Sequence, residues 1–181
     1  MNRETAFQLV KLKLKNKNLV KHVLAVEAVM IALAEKLGED AQKWGLCGLL
    51  HDLDYEETVD NPERHSLLTA EFLKDEDVEE DIIYSIKCHC DKVPRVSLMD
   101  KAIYAADPVT GFIVACALMH PEKKLAPLDL EFMKRRFKEK RFAAGADRTQ
   151  IASCSELGLS LDEFLMLSLN AMQKINRELG L

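Results

Sequence analysis

The chain has 181 residues, of which 48% are hydrophobic, and it carries a formal net charge of −5 at pH 7. This length and composition provide for one substantial core, and they predict a single domain over residues 1–181. The acidic balance argues against nucleic acid as the main partner, because proteins that bind nucleic acid usually carry an excess of basic residues. The five cysteines are an odd number without framework spacing, which indicates reduced thiols.

Neither a membrane span nor a signal peptide is predicted. No run of eighteen or more apolar residues is evident in the sequence. The N-terminal segment 1–5 carries an acidic residue early and leads into several lysines, in place of the apolar core of a signal peptide. We therefore expect a soluble, cytoplasmic protein with no membrane partner.

The elements predicted along the chain are all helices, because apolar residues recur at helical spacing and no hairpin dipeptide separates strand-like runs. The first and clearest helix begins at Asn18 as its N-cap and ends at Gly38. The helices predicted after it span 40–52, 62–74, 78–89, 97–107, 108–119, 128–140, 148–157 and 160–179. The fold class is therefore predicted to be all-α, as a single-domain helical bundle.

Two polar sites interrupt the apolar pattern of the first two helices. His22 falls on the apolar stripe of the first helix, so its imidazole should point into the core, where it needs a partner. His51 and Asp52 end the apolar segment 46–50, where a charged pair is costly unless it is compensated. A divalent cation would compensate it, and imidazole with carboxylate ligands suits iron, manganese, zinc or magnesium.

This ordered pattern resembles the HD-domain superfamily of metal-dependent phosphohydrolases, particularly its HDIG-type members. The shared features are an inward His22, the doublet His51-Asp52, and a late aspartate in the segment Tyr104-Ala105-Ala106-Asp107. Members that hold two metals add two histidines between the doublet and the last aspartate, and His65 and His89 stand there in the right order. The resemblance covers about residues 18–110, and residues 111–181 would form a helical extension of the same domain.

The resemblance implies a centre of one or two divalent ions (Fe, Mn, Mg or Zn). The implied ligands are His22, His51, Asp52, His65, His89 and Asp107. Asp52 would bridge the two ions as the central catalytic residue, and a water activated by them would attack a phosphate ester or anhydride of a small nucleotide-like substrate. The enzyme would be a phosphomonoesterase or a phosphodiesterase.

The identity of the substrate stays open. Family likeness suggests a nucleoside phosphate, a dinucleoside polyphosphate or a cyclic nucleotide, and the chain lacks the glycine that follows the doublet in HDIG-type members. Nearby cationic side chains would neutralise the charge that develops on the phosphate. The candidates for this substrate-binding role are Lys92, Arg95, Lys101 and Arg148, each of which could instead be a solvated surface charge.

Several residues near the predicted ligands have plainer interpretations. Asp107 precedes Pro108 and could cap a following helix instead of binding metal. Cys88 and Cys90 flank His89, but residues two apart on a helix point about 200° apart and cannot bind one ion, so they are predicted to be packing thiols.

The acidic residues after the doublet also have two interpretations. Asp54, Glu56 and Glu57 could orient the ligands or assist proton transfer, or they could form an ordinary acidic loop.

Two other function classes remain alternatives. The same ligand set resembles the di-iron oxygenase branch of the family, which uses oxygen to cleave carbon bonds. The second alternative is a non-catalytic HD domain that acts as a sensor or binding module. Such domains normally lose metal ligands, and none of the expected ligands is missing here. Metal content, oxygen consumption and phosphate release separate these classes.

Overall fold

A computed structural model describes residues 1–181 of the protein. Its regular structure consists entirely of helices. The predicted all-α fold class is therefore confirmed. The helices are α1 (Arg3–Lys13), α2 (Lys17–Leu37), α3 (Ala41–Leu50), α4 (Tyr55–Thr58), α5 (Leu67–Leu73), α6 (Glu80–Cys88), α7 (Leu98–Met119), α8 (Leu130–Phe137), α9 (Arg148–Ala152), a 3-10 helix (Ser153–Leu157), α10 (Leu161–Lys174) and α11 (Asn176–Leu179). One contiguous hydrophobic core joins them, and all five cysteines are unpaired.

Helices α2 and α3 form a tightly packed pair that positions the first predicted ligands. Gly38 ends α2 in the left-handed conformation, with φ of 77°, and the Asp40 side chain caps α3 by accepting two backbone N–H bonds. Gly48 lets the two backbones approach, because a Cβ at this position would lie 2.9 Å from the backbone nitrogen of Glu27. The close approach fixes the end of α3, where the His-Asp doublet follows.

A substitution at Gly48 tests this packing. We expect Gly48→Ala to lower the free energy of unfolding by about 1–3 kcal/mol, because the added methyl group meets the rigid backbone of α2. Urea denaturation followed by circular dichroism measures the change. Gly111→Ala is the matched control, since a Cβ there meets nothing within 4 Å and should be neutral or stabilise by up to about 1 kcal/mol. Unchanged stability of Gly48→Ala would contradict the packing argument.

Helix α7 is one continuous helix of 22 residues, whereas the sequence predicted two helices that meet between residues 107 and 108. Pro108 lies inside it, and the real N-cap is Ser97, which forms a capping box with Asp100. The packing of α7 against α2, α6 and α9 outweighs the local effect of the proline. Asp107 therefore lies within a helix and caps nothing, so the capping interpretation is wrong.

Helix α7 is also long and apolar enough to cross a membrane by length and composition, although Asp107 interrupts its apolar residues. However, 56% of its most apolar window is buried inside the protein. A helix that is apolar on most sides and packed among other helices is typical of the centre of a bundle. The protein uses α7 as its central core helix.

Other boundaries differ from the sequence prediction. Helix α1 was not predicted, because it buries only Ala6 and Val10 and its apolar signal is short. Helix α2 begins at Lys17, one residue before the predicted N-cap. Helix α5 begins at Leu67, and the residues from Pro62 onward that were assigned to it form turns.

The C-terminal helices are shorter than predicted. The segment predicted as 128–140 contains only α8, and the segment 160–179 is divided into α10 and α11. The segment 148–157 tightens after α9 into the 3-10 helix.

Candidate metal centre

All six residues predicted as metal ligands converge inside the bundle, although they come from five separate segments of the chain. His22 lies on α2, His51 and Asp52 follow α3, His65 precedes α5, His89 is the C-cap of α6, and Asp107 lies on α7. Neighbouring imidazole rings meet edge to face, with centroids between 4.9 and 5.2 Å apart.

Asp52 lies at the centre of this cluster. Its Oδ1 atom is 3.5 Å from His51 Nε2, 3.3 Å from His65 Nε2 and 3.5 Å from His89 Nε2. Its Oδ2 atom is 3.6 Å from His22 Nε2. One carboxylate thus faces all four imidazoles, which is the position expected of a ligand shared between two ions.

Asp107 joins one side of the cluster only. Its Oδ1 atom lies 3.0 Å from His22 Nε2 and 3.8 Å from His51 Nε2. These three residues could hold an ion together, since their ligand atoms all lie within 4.8 Å of one another. On the other side, His65 Nε2 and His89 Nε2 are 3.0 Å apart.

The outer ring nitrogens of two histidines are bound to backbone carbonyls. His51 Nδ1 lies 2.8 Å from the Gly48 oxygen, and His89 Nδ1 lies 2.5 Å from the Ile86 oxygen. Because a carbonyl only accepts, Nδ1 carries the proton in both rings. In the neutral ring, Nε2 then directs a lone pair at the centre of the cluster.

His22 is oriented by a side chain that sequence reasoning missed. Its Nδ1 lies 3.2 Å from Thr110 Oγ1, and that hydroxyl donates to the Asp107 carbonyl at 2.9 Å. The hydroxyl therefore accepts from Nδ1, which leaves Nε2 free for a metal. Thr110 could have been found from its i+3 spacing after Asp107 only if α7 had been predicted as continuous.

Asp54 orients His65, and of the three acidic residues after the doublet it alone touches a predicted ligand. Its fully buried carboxylate accepts from His65 Nδ1 at 2.8 Å and from the Thr69 backbone N–H at 3.0 Å. Glu56 instead accepts backbone N–H bonds before α2, and Glu57 pairs with a lysine on α1.

Buried atoms without partners indicate what the cluster lacks. His51 Nε2 and Asp52 Oδ1 are buried and have no hydrogen-bond partner. The Nε2 atoms of His65 and His89 face each other, although the Nδ1 atom of each already faces an acceptor. Each such atom left unpaired costs about 1–3 kcal/mol. A cation would be a partner for all of them, so the residues present fit a divalent metal.

The carboxylates also shift the pKa values of the imidazoles in the metal-free protein. Burial lowers the pKa of His51, but the Asp52 and Asp107 carboxylates outweigh it and raise the pKa to about 9. Burial also lowers the pKa of His65, but the adjacent Asp52 carboxylate and the hydrogen bond to Asp54 raise that pKa to about 10. Burial would raise the pKa of Asp52 and of Asp107, yet the surrounding imidazoles hold both well below their usual range. Protons thus compete with a metal for the same atoms.

A pocket of about 550 Å³ opens onto four of the predicted ligands, which are His22, Asp52, His65 and Asp107. The rest of its wall is mostly apolar or small, and includes Leu19, Tyr55, Pro108, Ala115 and Ala146. No lysine or arginine lines it. Gln150, which sequence reasoning also missed, lines the pocket and donates to the His89 carbonyl at 3.0 Å.

None of the four cations predicted to bind substrate is part of this lining. Lys92 donates to the Pro62 carbonyl at 3.2 Å, and Arg95 pairs with Asp91. Lys101 is half-buried on α7 and is also absent from the wall. These positions give no support to the substrate-binding role that the sequence suggested.

Arg148, the fourth of these cations, contacts the protein's own backbone. Its guanidinium donates to four backbone carbonyls in residues 137–146 and lies over the Phe112 ring, 4.8 Å from its centroid. The bonds hold the loop that contributes Ala143, Gly145 and Ala146 to the pocket wall. Arg148 therefore shapes the pocket from behind.

Comparison with known proteins identifies the class of protein that this fold and site define. The family model described as HD domain matches residues 19–111, which include all six predicted ligands. The chain therefore belongs to the HD domain family, whose members are typically metal-dependent phosphohydrolases.

Two kinds of curated relative resemble the chain. Ribonuclease Y of Nitratidesulfovibrio vulgaris is 33% identical and that of Oleidesulfovibrio alaskensis 29% identical, and each match covers 53% of this chain but only 18% of the relative. The symmetrical bis(5'-nucleosyl)-tetraphosphatase of Halalkalibacterium halodurans is 30% identical, over 59% of this chain and 68% of the relative. The chain thus spans less than a fifth of the length of the Ribonuclease Y relatives.

Proposed function

We propose that the protein is a metal-dependent phosphohydrolase that cleaves a phosphate ester or anhydride of a small nucleotide-like substrate. The observation that carries this proposal is the convergence of four imidazole Nε2 atoms on the shared carboxylate of Asp52, next to a pocket. One ion would be held by His22, His51, Asp52 and Asp107, and a second by His65, His89 and Asp52.

A divalent cation here would polarise a phosphate oxygen and lower the pKa of a bound water to near 7. The protein's own residues prepare the ligands for it. Carbonyl oxygens, the Thr110 hydroxyl and the Asp54 carboxylate hold the imidazoles by Nδ1, so that each Nε2 is directed inward before an ion binds. Little rearrangement is then needed to form the site.

The pocket wall supports a substrate with an uncharged portion. Because no lysine or arginine lines the pocket, the negative charge of a phosphate would be compensated at the metal centre. Leu19, Pro108 and the Tyr55 ring offer apolar contact to a base or sugar, and about 550 Å³ lies within the usual size of a small-molecule site. The resemblance to a tetraphosphatase that acts on bis(5'-nucleosyl) compounds also favours a nucleotide.

RNA is the alternative substrate that the Ribonuclease Y relatives raise. Sites for single-stranded nucleic acid combine a basic groove with exposed aromatic platforms. Apart from predicted metal ligands, the pocket has one aromatic side chain, Tyr55, and it has no lysine or arginine, and the chain is acidic overall. We therefore favour the small substrate.

Metal analysis followed by a substrate screen tests the proposal. The protein is purified without a metal-affinity step, its metal content is measured, and phosphate release is followed with nucleoside phosphates, dinucleoside polyphosphates, cyclic nucleotides and single-stranded RNA. We expect one or two divalent ions per chain and metal-dependent release from a small nucleotide. Oxygen consumption without phosphate release would instead indicate the di-iron oxygenase class, and failure to retain any metal would refute both.

Asp54→Asn tests whether this carboxylate orients His65. We expect metal affinity to fall by about 10- to 100-fold, because the amide keeps the shape but loses the charge that holds the imidazole Nδ1–H. Competition with a chromogenic chelator measures the affinity. Glu57→Gln is the control, since Glu57 pairs with Lys13 at 3.9 Å and should leave the affinity unchanged. Equal affinity in both variants would argue against an orienting role.

A further inference from the structure

Cys90, which the sequence predicted to be a packing thiol, lies at the edge of the candidate metal centre. That expectation assumed one helix through both thiols, but α6 ends at Cys88 and the chain turns after His89. Cys88 is buried, and its Sγ atom lies 3.5 Å from the Pro94 carbonyl. Cys90 Sγ instead lies within 4.8 Å of ring nitrogens of both His65 and His89.

These separations suit a shared ion. In a tetrahedral site with metal–sulfur bonds of about 2.3 Å and metal–nitrogen bonds of about 2.0 Å, the ligand atoms lie about 3.5 Å apart. The Nε2 atoms of His65 and His89 are 3.0 Å apart, and the Cys90 sulfur lies no more than 4.8 Å from a ring nitrogen of each histidine, which is at most about 1.3 Å beyond the separation that a shared ion requires. Only a small side-chain adjustment would bring the three atoms around one ion.

An independent observation also points to a ligand at this position. Asp52 Oδ1 is buried and unpartnered, and it lies 3.3 Å from His65 Nε2 and 3.5 Å from His89 Nε2. Asp52 Oδ1 would thus be the fourth ligand of a tetrahedral set, and a cation would supply the partner that this buried oxygen lacks.

Two turns with unusual backbone conformation hold the thiol beside the histidines. Ser66 and Asp91, which directly follow His65 and Cys90, have φ values of 65° and 60°. Residues other than glycine adopt this left-handed region at a cost, and they persist there only when their surroundings hold them. The Ser66 hydroxyl lies 3.1 Å from Cys90 Sγ, so the two turns contact each other at the thiol.

We propose that Cys90 binds, as a thiolate, the ion held by Asp52, His65 and His89. The S–H bond breaks, a sulfur–metal bond forms, and the proton leaves to solvent. A thiolate is a soft ligand, so this position would select Zn²⁺, Co²⁺ or Fe²⁺ over Mg²⁺ and Mn²⁺. The inference rests on the proposed metal centre, but it concerns only one of the two ion positions.

Cobalt titration of the metal-free protein tests the assignment. Wild type should develop a near-ultraviolet sulfur-to-cobalt charge-transfer band, and Cys90→Ser should lose it. The same variant should bind Zn²⁺ at least about tenfold more weakly, with Mn²⁺ affinity nearly unchanged. Cys88→Ala is the matched control and should keep the band, because that thiol contacts the Pro94 carbonyl and no predicted ligand.

A second measurement needs no variant. Bound Zn²⁺ should protect Cys90 from alkylation by iodoacetamide, as read by peptide mass, and its removal should restore the reaction. Cobalt binding without the sulfur band, or alkylation unaffected by zinc, would overturn the role of Cys90 and leave the proposed hydrolase centre intact. Failure to bind any divalent metal would overturn both.

Discussion

Asp52→Asn is expected to abolish stoichiometric metal retention and to lower kcat/KM for phosphate release by at least about a thousandfold. The reason is the position of this carboxylate, whose Oδ1 atom lies within 3.5 Å of the Nε2 atoms of His51, His65 and His89. The amide has the same shape but no charge, and one of its two polar atoms no longer accepts. Metal analysis and the phosphate-release assay measure both losses, while circular dichroism should show nearly unchanged helical content.

A second buried aspartate serves as the control for this experiment. Asp100 is 2% exposed and accepts hydrogen bonds from the Ser85 hydroxyl and from the backbone N–H groups of Val96 and Ser97. We expect Asp100→Asn to lower stability and to leave metal content unchanged, since it contacts none of the predicted ligands. Full activity in Asp52→Asn, or equal metal loss in both variants, would remove the basis of the proposed mechanism.

The convergence of the six predicted ligands could be foreseen from the sequence because it depends on local pattern and order. Helical periodicity alone directs His22 inward, and the doublet His51-Asp52 stands where an apolar segment would bury it. His65 and His89 are weak signals singly, and their order along the chain made them predictable. The structure brings all of these residues together.

The course of α7 could not be predicted, because local and tertiary effects disagree there. Asp107 followed by Pro108 has the local signature of a helix start. The structure instead continues one helix through the proline, since nearly every turn of α7 packs against another element. The same continuity places Thr110 beside His22, so the error about the helix also concealed a residue that orients a predicted ligand.

The pocket wall could not be predicted because it depends on long-range approach. Arg148 has the charge of a phosphate ligand, yet its donors are taken by carbonyls in residues 137–146. Gln150 reaches the His89 carbonyl across 61 positions of sequence. Charge and residue type can be seen in a sequence, but which groups already have partners depends on the folded contacts.

Metal and pH should affect the stability of the protein together. The pKa of His51 is raised to about 9 and that of His65 to about 10, against a usual value of 6.5. In the metal-free protein, the stabilisation from these protonated rings is fully present below about pH 6.5 and is lost as the pH rises through 9 and 10. The lowered pKa values of Asp52 and Asp107 contribute stability that is present above about pH 4 and is lost in more acidic solution.

The metal-free protein should therefore be most stable between about pH 4 and 6.5. The metal-loaded protein should be most stable at higher pH, because a metal must displace the imidazole protons. At pH 8, metal at about a thousand times its Kd should stabilise by about 4 kcal/mol, or raise Tm by roughly 8–16 °C for a domain of this size. At pH 5 the increase should be much smaller. Thermal unfolding with chelator or Mn²⁺ across this range measures it, and Asp52→Asn should show no metal-dependent increase. An equal increase at pH 5 and pH 8 would mean that metal binding displaces no imidazole protons.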